Sequence, residues 1–209
     1  MLRPVGMDPL NAGLCAQEAC RRLGKGVVMP TLYMGTERER PAWMLESLGL
    51  VVASTIEMLL SQGYKAVVIV NGHGASNQLA TLDRLAKHYS STTDAVVSSK
   101  LADTQVVSDE SGGGHADLSE TSLMLHFEKT YFGGRKLVDL SALPPRKVPI
   151  RYKDYSVVDD AGFSRNPHPD KVVQTDPRDA TPDRGRIEFG DTVAMYVNLA
   201  AAALAQKAL

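Results

Sequence analysis

This 209-residue sequence has no uninterrupted long apolar run and no excess of one charge. No uninterrupted apolar run reaches the roughly 18 residues of a spanning helix, so no membrane partner is expected. Basic residues number 23 and acidic residues 24, which gives no reason to expect nucleic acid or an anionic surface as partner. The start, MLRPVGMDPL, lacks the charged-then-apolar layout of a secretory signal. We therefore expect a cytoplasmic protein.

The sequence also lacks the common catalytic and structural motifs. It has two cysteines, and Cys15 and Cys20 lie five residues apart on different faces of a predicted helix, so we expect no disulfide between them. No Cys-x-x-Cys pair is present for structural zinc. A G-x-S-x-G nucleophile elbow, a P-loop and a Gly-rich dinucleotide fingerprint are absent as well.

What is present is an alternation of helical and strand-like patterns. Helices are predicted at 8–24, 43–62 and 77–89, from 117 onward, and from 181 to the alanine-rich end. Strands are predicted at 26–34, 65–70 and 94–103. Continuous apolar strands between helices predict an α/β fold with a mostly parallel sheet covered on both faces. We expect one domain over 1–209, with the Pro-, Asp- and Arg-rich stretch 133–180 as an irregular excursion within it.

The stretch VVIVNGHGASN (67–77) places a histidine directly after a buried strand. In a parallel sheet, ligands bind beyond the carboxyl ends of the strands. The glycines on either side of His73 permit a sharp turn and a close approach by a ligand. Neutral imidazole is a common metal ligand, so His73 is a candidate for that role. The alternative is a polar turn residue that is hydrogen-bonded to its neighbours.

A second Gly-rich loop, GGGHADLSET (112–121), ends in a histidine just before a helix. His115 could act as a general acid or base near neutral pH. Glu120 is a candidate site carboxylate, although Asp117-x-x-Glu120 also has the spacing of a capping box. Asp8 before Pro9 has a similar alternative as a helix N-cap.

The two histidine loops together resemble the internal signatures of the creatininase (creatinine amidohydrolase) family. The first family pattern, N-G-H-G-G-N after a strand, is matched by Asn71 to Gly74 and by Asn77, with Ala75-Ser76 in place of one Gly. The second, H-A-G-E-x-E-T-S-L-M at a helix start, is matched by 115–116 and 120–124, with Leu118 in place of its first Glu. The ending TDPRDATPDRGRIEF resembles the family's G-D-P-x-x-A-T-x-x-x-G before a final helix.

This resemblance implies a three-layer α/β/α sandwich around a mostly parallel sheet. It implies a divalent metal site, with two ions of zinc, manganese or iron per subunit, and a homo-oligomer, commonly a hexamer. For His73 it implies a metal ligand, for Glu120 a metal-bound or site-shaping carboxylate, and for His115 proton transfer. The implied reaction opens a small cyclic substrate, a cyclic amide or a carbohydrate- or polyol-derived cyclic ketone, with a metal-activated water.

The segment RPVGMD resembles the end of the family's E-Q-H-G-P-H-L-P-L-G-T-D, whose last Asp bridges the metals. On that alignment Asp8 is the bridging ligand, and the family's Glu, His and first strand would precede Met1. Three interpretations stay open: a chain that starts downstream of the true start, a variant with one metal or none, and a chance match in which Asp8 is an N-cap. The second would make the protein a non-catalytic, metal-depleted relative that acts in binding or as a scaffold. A further alternative is peptide processing, since some family members cleave terminal residues from modified peptides.

The charged run TERER (36–40) is the last candidate. It resembles the family branch that acts on inositol-derived cyclic ketones, and this predicts substrate binding by Glu37 and Arg38. The alternatives are a solvated charged loop and a contact between subunits.

Overall fold

A computed structural model describes residues 7–35, 42–102, 117–151, 172 and 175–206. The chain divides into two compact units. The first unit comprises Asp8–Ala102 and Thr192–Leu209, and the second comprises Met1–Met7 and Asp103–Asp191.

The first unit is built around a parallel strand pair. Helix α1 spans Met7–Leu23 and α2 spans Ala42–Ser61; strand β1 (Ala66–Asn71) is followed by α3 (Ser76–Thr92) and strand β2 (Val96–Leu101). The two strands pair in parallel from Ala66↔Val96 to Asn71↔Leu101. A strand, a helix and a second parallel strand are the predicted βαβ arrangement, so the α/β class with a parallel sheet is confirmed.

The core of this unit lies between α2, α3 and the strands. Ile56, Ala86, Tyr89 and Val97 form a buried cluster, with Leu85 packed against it. Ala86 and Tyr89 lie three residues apart on one face of α3, and this is the face that the structure buries. The last helix, α5 (Pro182–Ala205), contributes Tyr196, whose hydroxyl donates to the Lys100 carbonyl at 2.6 Å. Burial raises the pKa of Tyr196 far above its ordinary value.

The predicted strand at 26–34 is wrong. The segment after α1 has no assigned strand, and Val27 and Tyr33 are 62% and 78% exposed. A β-strand requires a paired neighbour, and among the described residues the sheet has two strands, β1 and β2. Pro30 also has no N–H to donate to a ladder. Apolar β-branched composition predicted a strand where the described structure provides no pairing.

Helix α2 is long and mostly apolar. By length and composition alone, it is the one helix among those described that could cross a membrane. Within it only Leu48 and Ile56 are buried. Leu50 and Trp43 are 70% and 63% exposed, which is unusual for side chains of that size.

The second unit is helical and irregular. Helix α4 spans Leu118–Thr130, and short 3-10 helices occupy Leu140–Ala142 and Pro177–Asp179. The Arg178 guanidinium pairs with Asp176 at 2.6 Å and donates to the carbonyls of Pro144, Pro145 and Val148. Within the predicted excursion, one antiparallel bridge joins Arg151 to Val172, and the possible strand at 155–159 lies outside the described residues.

A hydrogen bond and a cluster of aromatic rings join α4 to the start of α5. The Ser122 hydroxyl accepts the Thr181 N–H at 3.2 Å, and Thr181 caps α5 by accepting the Arg184 N–H at 3.2 Å. Four aromatic rings then pack together along the two helices: His126, Phe127, Tyr131 and Phe189. Burial lowers the pKa of His126, and the charges of Arg186 and Lys129 lower it further. His126 is thus a packing residue.

Candidate functional site

Two predicted site residues, 65 positions apart, meet at the carboxyl end of β1. His73 Nδ1 lies 3.0 Å from Asp8 Oδ2, and both side chains are partly buried. His73 follows β1 directly, whereas Asp8 lies in the first turn of α1. A carboxylate at Nδ1 fixes the orientation and tautomer of an imidazole, as it does in many metal and acid–base sites.

The structure places Asp8 within the first turn of α1. An N-cap residue precedes the helix and has non-helical backbone angles. Here α1 already includes Met7, so Asp8 lies inside the helix, and its carboxylate contacts His73. A carboxylate in the first turn also interacts favourably with the positive end of the helix.

Gly72 allows this meeting of α1 and β1. A Cβ added at Gly72 would lie 2.1 Å from the Asp8 carbonyl oxygen and 2.6 Å from its carbon. At Gly74 the nearest heavy atom, Leu101 Cδ2, is 4.0 Å away. Neither glycine has a positive φ. The first glycine is required by close backbone packing.

Buried amide side chains surround the histidine loop, which we define as residues 72–75. The Asn71 carboxamide donates to the His73 carbonyl at 2.7 Å and accepts the His73 N–H at 3.3 Å. Its oxygen also accepts from the Gln78 side chain at 2.8 Å. Asn71 and Gln78 are both buried. The backbone position of His73 is therefore set by side chains from β1 and α3.

A second amide joins α1 to the end of the sheet. The Asn11 carboxamide donates to the Ala102 carbonyl at 2.7 Å, and the Ala102 N–H donates to the Asn71 carbonyl at 2.6 Å. Asn11 is one helical turn beyond Asp8 and so lies on the same face of α1. These bonds hold the helix carrying Asp8 against the strand carrying His73.

Glu120 lies in the first turn of α4, in the second unit. Asp117 is the N-cap of this helix, and its side chain accepts the Glu120 N–H at 3.0 Å. The Asp117 half of the predicted capping box is therefore present. The metal role of Glu120 stays a prediction. His115, Glu37 and Arg38, the remaining predicted site residues, lie outside the described residues.

Asp8 and His73 fit a divalent cation as two of its ligands. Donor atoms that bind one zinc ion at about 2.0–2.2 Å lie roughly 3–3.5 Å from each other, which includes the Asp8–His73 distance of 3.0 Å. Carboxylate oxygen and imidazole nitrogen are also donors that zinc and manganese accept. In the described parts of the chain no group of three or more His, Cys, Asp or Glu could hold a metal ion. The pair is thus a partial ligand set.

The sequence interpretation missed Asn11 and Gln78. Helical spacing from Asp8 could have identified Asn11, because positions three apart share a face. Gln78 gave no signal, since a glutamine in the first turn of an amphipathic helix is usually exposed to solvent.

Comparisons with known proteins agree with this architecture. The creatininase (creatinine amidohydrolase) family model matches residues 2–200. No curated protein matches the chain significantly. Among solved structures, a creatininase variant complexed with creatine has 19% identity and a TM-score of 0.61 over 94% of this chain and 84% of its own. A Zn–Zn type creatininase variant has 19% identity and a TM-score of 0.62, covering 94% and 83%.

A manganese creatininase has 19% identity and a TM-score of 0.59, again covering 94% of this chain and 83% of its own. At these identities the solved structures establish the fold, while the family model spans almost the whole chain. The amidohydrolase activity and the divalent metal are properties of that family. The chain belongs to the creatininase (creatinine amidohydrolase) family of metal-dependent enzymes.

Proposed function

We propose that this protein hydrolyses a small cyclic substrate, a cyclic amide or a polyol-derived cyclic ketone, in a reaction that requires a divalent cation. The observation that carries the proposal is the 3.0 Å contact between Asp8 and His73 at the end of β1. Family membership supports the reaction class, and a ligand site at the carboxyl end of a parallel strand is the usual position in such sheets.

In this proposal Asp8 and His73 hold the cation and Asn71 fixes the histidine backbone. A divalent cation in such a site acts as a Lewis acid and lowers the pKa of water. His115, from the resemblance, donates a proton to the leaving group, which is nitrogen in a cyclic amide and carbon in a cyclic diketone. Ligation requires donor atoms without their protons, so cation binding at Asp8 and His73 displaces the proton between them.

Replacing His73 by alanine is expected to remove bound metal and hydrolysis together. The purified chain would be supplied with Zn²⁺ or Mn²⁺, and its metal content measured by elemental analysis. Hydrolysis of creatinine, other cyclic amides and cyclic polyol ketones would be followed in parallel. His88, exposed on α3, gives the matched control His88→Ala, which should keep both properties.

Two results would contradict the proposal. Full metal content or full turnover in His73→Ala would remove the role assigned to this residue. A parent chain that binds neither ion and turns over no substrate would favour the alternative, a non-catalytic relative that acts in binding or as a scaffold.

We also propose that copies of this chain associate through an exposed face of α2. We call this face the stripe, and it consists of Trp43, Leu50, Val51, Ser54, Thr55 and Met58. At 100° per residue these six side chains lie within roughly 140° of one another around the helix. The last five line a groove of about 370 Å³. The exposed apolar area of the stripe is on the order of 400 Å², the size of the largest apolar patch on a typical monomer, which is often functional.

A second copy fits this stripe better than a lipid surface does. Helix α2 contains Glu46 and Glu57 but no Lys or Arg, whereas helices that lie on anionic membranes carry basic residues. The opposite face of α2 is occupied by the core around Ile56. Glu57 lies beside the stripe and accepts the Tyr89 hydroxyl at 2.7 Å. An uncharged stripe can face its own copy about a two-fold axis without like-charge repulsion.

The substitution Leu50→Glu is expected to convert the oligomer into a monomer. It places a charge at the most exposed large apolar residue of the stripe, where burial against a partner would require its desolvation. Size-exclusion chromatography with light scattering measures the change. The control is Ile187→Glu, the same kind of change at an exposed position on α5, which should leave the mass unchanged. A monomeric parent chain at tens of micromolar would contradict the proposal.

A further inference from the structure

A single buried side chain holds both backbone groups of His73. The Asn71 carboxamide donates to the His73 carbonyl at 2.7 Å and accepts the His73 N–H at 3.3 Å. Asn71 is 5% exposed, so water does not compete freely for these groups. A rotation of the Asn71 side chain would therefore release the backbone of His73.

The hydrogen bonds allow one orientation of Asn71 and one of Gln78. A backbone carbonyl can only accept and a backbone N–H can only donate, so the Asn71 nitrogen must face the carbonyl and its oxygen the N–H. The same oxygen is 2.8 Å from the Gln78 side chain, which must then present its nitrogen as donor. Gln78 is 4% exposed and lies on α3, the helix that follows the histidine loop.

We propose that Gln78 is a positioning residue for the metal site, which acts through Asn71 to keep the His73 imidazole beside Asp8. The inference rests on the proposed metal-dependent function. Without the Gln78 donor, the buried Asn71 oxygen loses one hydrogen bond and the side chain gains freedom to turn. The Asp8–His73 distance would then vary, and a cation that needs both donors would bind less tightly.

Gln78→Met tests this role because methionine is close to glutamine in length and volume but cannot donate a hydrogen bond. Zinc affinity of the full chain would be measured by competition with a chromogenic chelator. We expect it to weaken about 10- to 100-fold, the range found when partners behind metal ligands are removed.

The matched control is Thr81→Val, a change of similar size at another buried residue of α3 one turn further along. It should leave zinc affinity unchanged, although it also alters the buried face of the helix. Circular dichroism would show that each variant is folded. Zinc affinity in Gln78→Met equal to that of the parent chain would overturn the proposal.

A second readout separates this inference from the proposed function. In the zinc-free chain labelled with ¹⁵N-histidine, we expect His73 to carry its proton on Nδ1, facing Asp8, with its signal identified by its loss in His73→Ala. In Gln78→Met this signal should move toward the average of the two tautomers. If the parent chain binds no zinc, the proposed function fails, and the ring signal still decides the positioning role. An unchanged signal overturns it.

Discussion

Replacing Gly72 by alanine is expected to separate Asp8 from His73 and abolish metal binding. The new methyl group would lie 2.1 Å from the Asp8 carbonyl oxygen, far inside contact distance, and backbone atoms cannot rotate away as a flexible side chain can. The first turn of α1 must then move, and the Asp8 carboxylate moves with it. Overpacking of this kind costs about 3 kcal/mol of unfolding free energy, and zinc affinity should fall at least about 100-fold.

Gly74→Ala is the matched control, because it makes the same change on the other side of His73. The nearest heavy atom would be 4.0 Å away, and the φ angle at Gly74 is not positive. Alanine there reduces the freedom of the unfolded chain, so stability should stay constant or rise by about 0.4–1 kcal/mol. Urea unfolding and zinc titration of both variants measure the effect. Equal behaviour of the two variants would show that close packing against Asp8 is not the function of Gly72.

The helices and the paired strands could be predicted from the sequence because their signals are local. Helical spacing and caps act over a few residues, and so the helices predicted at 43–62 and 77–89 agree with α2 and α3. The 26–34 segment had a strand-like apolar composition that Pro30 weakened, and a strand also depends on a neighbour that can be distant in sequence. The composition of a segment does not show whether a partner strand is present.

The site was predicted in part, and by a different kind of signal. Periodicity alone gave His73 a place at a strand end and left Asp8 as an N-cap, because nothing local connects residues 65 positions apart. The family resemblance connected them, and the structure places their side chains 3.0 Å apart. Gln78 was not found, since its importance comes from its burial against Asn71, which only the packed structure shows.

Gly72 and Gly185 have the same physical explanation. Gly72 lies against the backbone of Asp8 and Gly185 against the backbone of Ser122. Each lies where two segments of one unit pack closer than a side chain permits. A glycine in a sequence is usually interpreted as a flexible turn, and these two positions carry no positive φ. Gly72 and Gly185 contribute to close packing. At Gly185 this contribution can be tested independently of any metal.

Gly185→Ala is therefore expected to destabilise the protein although it lies inside a helix. Alanine favours the helical state by about 1 kcal/mol over glycine, which alone would raise stability. The added Cβ, however, would lie 1.9 Å from the Ser122 carbonyl oxygen and 2.8 Å from the Leu123 nitrogen, both atoms of the α4 backbone. Separating the two helices would cost about 3 kcal/mol or more, so the clash exceeds the propensity gain.

Gly190, in the same helix, separates the gain in helix propensity from the cost of the backbone clash. A Cβ at Gly190 meets no heavy atom within 4 Å, so Gly190→Ala carries the propensity gain without a clash. We expect it to raise the unfolding free energy by up to about 1 kcal/mol, while Gly185→Ala lowers it by about 2 kcal/mol. At this chain length each kcal/mol shifts the melting temperature by about 2–4 °C, which calorimetry resolves. Stabilisation by both substitutions would mean that α4 and α5 do not need the close approach at Gly185.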